Sequence, residues 1–276
     1  MNNKHVLSSV LLLVFGTAVA SADEMKVGGT GAALGLLNEL SAVFGAAHPG
    51  DKIEVVPGLG SSGSINALAE GALQFAVSGR PLKADETARG LHSEPLLDTP
   101  FLFVTSHPEP QKLTRAQVVE IFDGSLTRWP DGTSIKPILR PKSDAVTPFL
   151  ISSFSGMEAA MMKLRQRPDV PVAATDQDNS KTAEKVPNSF AGMTLVQFLT
   201  EKPQLRAISL DGVDASRDFG AIGSYPHLMR LYAVTSSAAT PVAQRFSKFL
   251  QSEEAKKLIR SSGGIVLPGK IPFRSR

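Results

Sequence analysis

Three times between residues 25 and 81 the chain passes from a short apolar run into a glycine-bearing turn. Met25-Lys26-Val27 leads into Gly28-Gly29-Thr30-Gly31-Ala32-Ala33. Ile53-Glu54-Val55-Val56 leads into Pro57-Gly58-Leu59-Gly60-Ser61-Ser62-Gly63-Ser64, and Gln74–Ser78 into Gly79-Arg80-Pro81. The first two turns open onto helical patterns. Leu36, Leu37, Leu40, Val43 and Phe44 recur at helical spacing after the first, and Ile65–Glu70 follows the second. Strands alternating with helices predict a mainly parallel α/β layer, whose ligands bind at the carboxyl ends of the strands. All three turns lie at that end. Their glycines let backbone N–H groups approach a ligand closely, and helix N-termini carry unpaired donors and partial positive charge, so the pattern predicts an anion site. Taken singly, each turn reads equally well as a serine-capped βα connection with no ligand. Their recurrence favours the site.

The N-terminus sets the compartment. Met1–Ala22 has one charged residue, Lys4, then Val10-Leu11-Leu12-Leu13-Val14-Phe15, and ends on Ala20-Ser21-Ala22. This is the pattern of a secretory signal peptide cleaved after Ala22. The apolar run is too short to favour a membrane anchor. Cleavage leaves 254 of the 276 residues and lowers the formal net charge from +3 to +2, enough chain for two domains with a sizeable core. The chain has no cysteine, which removes disulfides, thiolate metal sites, thiol catalysis and lipid-anchored export. Lysines and arginines form no basic stripe, so nucleic acid is not an expected partner.

Further along, Thr114 and Gln117 form a capping box for a helix over Thr114–Phe122, stopped by Gly124. The polar turn Asp123-Gly124-Ser125-Leu126-Thr127-Arg128-Trp129 carries the single tryptophan. Gly60-Ser61-Ser62-Gly63-Ser64, Val77-Ser78-Gly79-Arg80-Pro81-Leu82, Ile121–Trp129 and Gly220-Ala221-Ile222-Gly223 follow one another in an order that resembles the periplasmic phosphate-binding proteins of phosphate ABC transporters. The resemblance extends over residues 25–270, and 121–129 is its most distinctive segment. It implies an α/β, two-lobed periplasmic binding protein fold with two interdomain crossings and a ligand cleft between the lobes. The lobes would be 25–104 with 224–276 and 105–223, crossing at Phe101–Val104 and at Ala221–Tyr225.

The same resemblance implies a set of ligand contacts. Ala33 and Leu34 fall where first-loop backbone donors are expected, with Thr30 beside them. Ser61 falls at the second-loop serine, with Ser62 next to it, and Arg140 at the arginine of the second lobe. Two positions depart. Gly79 stands where an aspartate is expected, beside Arg80, and Asp144-Ala145-Val146 stands at an expected Ser-Gly-Thr, with Thr147 one residue later. In the family the aspartate accepts the proton of monohydrogen phosphate and so rejects fully ionised sulfate, a role Gly79 cannot fill. Asp144 reads either as the cap of a helix over 144–155 or as a replacement acceptor facing the cleft. Arg80 reads either as a surface residue after a turn or as a second cation for a larger or more anionic ligand.

The remaining motifs predict structure. Met157–Leu164 reads as a helix with Met161 and Met162 filling core. Asp176-Gln177-Asp178 has the spacing of a calcium loop but lacks its glycine and downstream glutamate. It reads instead as a turn before a helix over Lys181–Val186 capped by Asp178 or Asn179, with no metal or cofactor expected. His5, His48, His92, His107 and His227 have no metal-ligand spacing, and no Gly-x-Ser-x-Gly elbow is present. The reading is of a non-enzymatic, monomeric periplasmic solute-binding protein. It captures a small oxyanion, phosphate first, for an ABC transporter permease in the inner membrane. The alternative is a secreted interaction or sensor-partner protein that uses the same fold with an altered cleft.

Overall fold

The apolar runs become strands, and the computed structural model describes residues 23–109, 111–218 and 225–268 of them and their connections. The strands are β1 (Asp23–Gly29), β2 (Asp51–Val56), β3 (Phe75–Ser78), β4 (Leu91–Thr105), β5 (Lys112–Leu113), β6 (Lys136–Pro137), β7 (Ser189–Thr194), β8 (Arg206–Ala207), β9 (Ser209–Leu210), β10 (Leu228–Ser236) and β11 (Ile265–Val266). The helices are α1 (Leu34–Ala47), α2 (Gly60–Ala69), α3 (Ala84–Ala88), α4 (Arg115–Asp123), α5 (Val146–Ser153), α6 (Met157–Leu164), α7 (Asp176–Lys185), α8 (Leu195–Glu201), α9 (Pro241–Leu250) and α10 (Glu253–Ser261). The expected signal peptide, the return crossing at 221–224 and the tail beyond 268 lie outside the described residues.

One sheet runs through the molecule in the order β2-β1-β3-β10-β4-β7-β6. β1 pairs parallel with β2 and β3, as the alternating pattern predicts. The sheet is nevertheless mixed rather than mainly parallel. β10 inserts antiparallel to both β3 and β4, and β4 is antiparallel to β7 and β8. The reason is β4 itself. Its Leu91–Pro100 stretch pairs with β10, and its Phe101–Val104 stretch with β7. One strand thus belongs to both halves of the sheet, and the run that sequence places at a crossing, Phe101–Val104, begins where the partner changes.

The core is continuous across that strand. In the first half Phe246 meets Phe44 and Phe75 edge-on at 5.4 and 5.3 Å. In the second, Phe103 stacks on Phe190 at 4.9 Å and meets Phe154 at 5.7 Å. Burying each such ring stabilises the fold by about 1.5–3 kcal/mol. The β1–β3 contact requires Gly29, because a Cβ there would stand 2.4 Å from the Val77 carbonyl oxygen. α4 forms as its capping box predicts. Thr114 Oγ1 accepts the Gln117 N–H, Gln117 Oε1 accepts the Thr114 N–H, and Gly124 ends the helix at φ +84°.

Three helices differ from their sequence pattern. α2 starts at Gly60, so the glycine-serine stretch is the first turn of the helix rather than a loop before it. α7 starts at Asp176, five residues early by the sequence reading, because Thr175 caps it through a box with Asp178. On α6, Met161 is buried as expected, but Met162, about 100° further round the helix, points to solvent and is 60% exposed.

Candidate functional site

The site is built where the ends of β1 and β3 face the N-termini of α5 and α7. Gly31–Ala33 form a single 3-10 turn leading into α1, and the buried Thr30 before it bonds through its N–H to Val77 O at 2.8 Å. Within this turn the Ala33 N–H bonds to Thr30 O and the Leu34 N–H to Gly31 O. The two backbone donors that sequence assigns to a ligand are therefore committed inside the turn. The donor turned outward is Ala32 N–H, which is accepted by Asp176. The approach is close. A Cβ at Gly31 would stand 2.6 Å from Asp176 Oδ2, and the Gly31 carbonyl accepts from Gln177 Nε2 at 3.0 Å.

The second contact between the halves is at Gly79. Its N–H donates to Ser61 Oγ at 2.9 Å, and a Cβ in its place would meet Ala145 Cβ at 3.1 Å and Met229 Cε at 2.8 Å. Glycine is what lets the end of β3 touch the start of α5. Ser61 is buried, and its hydroxyl still has a proton to donate after accepting from Gly79.

Arg140 lies between these contacts and is only 6% exposed. Nη1 donates to Ala173 O at 2.7 Å, and Nη2 to Asp144 Oδ2 at 2.6 Å with Asp176 Oδ1 at 3.5 Å. Nε has no hydrogen-bond partner among the described residues. Of the two roles that its sequence left open, Asp144 takes the capping one: Oδ1 accepts the Val146 N–H at the start of α5, while Oδ2 takes the arginine. Thr147 sits behind, donating to Pro141 O at 2.9 Å and so closing the 141–147 turn. Burial raises the Asp176 carboxyl to about 6, opposed chiefly by the Arg140 charge.

The structure thus brings Ser61, Gly79, Arg140 and Asp144 to one place, with the Thr30–Leu34 turn against it. Arg80 and Ser62 are turned away. Arg80 makes a two-pronged ion pair with the buried Glu86, at 2.8 and 2.7 Å, and its Nη2 reaches the exposed Ser62 Oγ at 3.1 Å. Of the two readings open for Arg80, neither describes this geometry: it is a structural cation that ties the β3 turn to α3. Asp176 was missed by sequence reasoning. The Thr175-x-x-Asp178 capping box was the available signal, since it places Asp176 in the first turn of a helix.

Residues 16–254 match the PBP superfamily domain. The chain belongs to the PBP superfamily. Among relatives of this PBP-superfamily protein is the phosphate-binding protein PstS of Bacillus subtilis (strain 168), 24% identical over 256 residues, covering 89% of this chain and 81% of that one. Its fold is similar to that of a Clostridium perfringens protein described as a phosphate ABC transporter substrate-binding protein with bound phosphate. There the TM-score is 0.75 at 18% identity, covering 89% of this chain and all of the other. An ABC-type phosphate transport receptor from Vibrio cholerae has TM-score 0.60 at 21% identity, covering 88% of this chain and 100% of that one. The mixed α/β architecture with a central mixed sheet is the one these two-lobed proteins share.

Proposed function

We propose that this PBP-superfamily protein captures phosphate or a similar oxyanion outside the cytoplasm and delivers it to the permease of an ABC transporter, acting as a monomer and without catalysis. The observation that carries the reading is the placement of Arg140. A guanidinium with a free Nε is buried where Ser61, the first turn of α2, and the N-termini of α5 and α7 converge. Charge-assisted, forked donors beside helix N-termini are the chemistry an oxyanion requires. The relatives named above, described as phosphate-binding, support phosphate as the first ligand to test.

The lobes in this reading are 25–104 with 224–276 and 105–223, hinged on β4 and on the return crossing. The signal peptide 1–22 would direct the chain to the periplasm.

A second reading follows from a specific observation. Arg140 is already paired with Asp144 and Asp176, and Ser61 with Gly79, as in a cleft that has lost its solute and serves a protein partner instead. Thermal unfolding of the dialysed protein separates the two. A ligand at a hundredfold excess over its dissociation constant stabilises the folded state by about 2.7 kcal/mol, so phosphate raises the melting temperature if the first reading holds. A panel of phosphate, phosphonate, arsenate, sulfate and molybdate that leaves the melting temperature unchanged refutes oxyanion capture.

A further inference from the structure

α8 serves two places. Gln197 and Glu201, one turn apart, face α7: Gln197 Nε2 donates to Asp176 O at 3.3 Å and to Glu201 Oε2 at 3.0 Å. Phe198 instead faces a cavity of about 590 Å³, where α8 meets β5, β8, β9 and the 214–217 turn. That is the size of a small-molecule site. Its lining residues fall between positions 111 and 217, and none is among those gathered around Arg140.

The floor of the cavity is apolar and the rim is cationic. Leu205 is buried, while Phe198 and Ala207 are half-buried with the core behind them. Lys112, Arg206 and Arg217 stand around this floor, with Asp214 as the carboxylate among the lining residues. Asp214 is engaged by its own turn. Oδ1 accepts the Ser216 N–H at 3.1 Å and the Ser216 hydroxyl at 2.6 Å, and Oδ2 lies 3.5 Å from Arg217 Nε. The side chains of Lys112 and Arg206 have no hydrogen bond or ion pair among the described residues.

These cations stand on paired backbone. Lys112 lies opposite Ser209 in the β5–β9 pair, and Arg206 opposite Thr105 where β8 joins β4. A solvated charged surface requires no apolar floor beneath it, and an apolar hollow requires no ring of unpaired cations. Together they complement one kind of guest. An inorganic anion would use the rim and leave the floor wet, and a neutral aromatic would use the floor and leave the cations unpaired.

We propose that this cavity is a second binding site, for a small organic anion whose flat apolar body lies on Phe198 and Leu205 and whose carboxylate or sulfonate is held by Arg206 and Lys112. The guanidinium of Arg206 suits this guest twice over, since it pairs with a carboxylate through its forked donors and stacks on aromatic faces. The site is independent of the oxyanion reading, because it shares no residue with the anion cleft.

Calorimetric titration of the full chain with naphthoate tests this. One naphthoate should bind per chain, more weakly as salt is added. Acetate, which lacks the apolar body, and naphthalenemethanol, which lacks the charge, should each bind at least about tenfold more weakly. Arg206→Gln removes an exposed side chain with no partner to lose, so the fold is not at risk, and it should lower naphthoate affinity about tenfold or more. Phe198→Ala should do the same, whereas Lys257→Gln, an exposed charge on α10, should change nothing. Failure of naphthoate to bind at millimolar concentration overturns the proposal. So does equal affinity for naphthalenemethanol, an affinity unchanged in Arg206→Gln, or an equal loss in Lys257→Gln. Binding that is lost in Arg140→Ala but kept in Arg206→Gln puts the probe in the anion cleft and also overturns it.

Discussion

Replacing Glu86 with glutamine tests whether Arg80 belongs to the scaffold. The Glu86 carboxylate takes both Arg80 Nη groups and the Lys83 N–H at 2.8 Å, in a residue only 6% exposed. The Arg80 hydrogen bonds, reinforced by the Lys83 N–H and the arginine charge, hold its carboxyl at about 2 against an ordinary 4.5. At about 1.36 kcal/mol per pKa unit, that depression corresponds to about 3 kcal/mol of stability at neutral pH. Because the folded value is the lower one, the contribution is complete above pH 4.5 and is lost as the pH falls through about 2. Urea unfolding of wild type and Glu86→Gln at a series of pH values reads this directly. The variant should be less stable by about 3 kcal/mol at pH 7, and the two curves should converge between pH 4.5 and about 2. A difference that stays constant down to the lowest pH at which both fold, or one below about 0.5 kcal/mol at pH 7, refutes the reasoning.

Three further outcomes follow from geometry already described. Arg140→Ala should weaken phosphate binding by roughly a hundredfold or more, and Arg140→Lys by less, since charged hydrogen bonds contribute about 1.5–3 kcal/mol each; calorimetry measures both. Gly79→Ala should lower stability by about 1–3 kcal/mol through its clash with Ala145, and Gly29→Ala by more because it meets backbone rather than side chain, as thermal unfolding would show. Thr114→Ala should cost about 1 kcal/mol from loss of the α4 cap, with no change in phosphate affinity.

What the sequence disclosed depended on how local the cause was. α4 was legible because a capping box and a glycine stop mark its two ends. The β1–β3 parallel layer was legible from alternation alone. The antiparallel seat of β10 between β3 and β4 was not legible, since periodicity says which face is buried and nothing about which neighbour pairs. At the site, Arg140 and Ser61 were reached through motif order. The partner of Arg80 was hidden because Glu86 lies on the next helix. Asp176 was hidden because an acidic, Asn-containing stretch reads as a turn as readily as a helix start, and its pairing with Arg140 exists only once α7 and the 140–147 turn are folded together.

The seat of β10 also dictates an order of assembly. β3 ends at Ser78 and β4 begins at Leu91, yet the strand that separates them in the sheet starts only at Leu228. Until nearly the whole chain is available, the N-terminal sheet has a gap in its middle and two open edges where β10 belongs. Such non-local pairing folds slowly, because the closure entropy is lost before the contacts form. A nascent chain is therefore kept from premature compaction by its own topology, and truncation before Leu228 should leave a species that exposes strand edges and aggregates rather than a stable half.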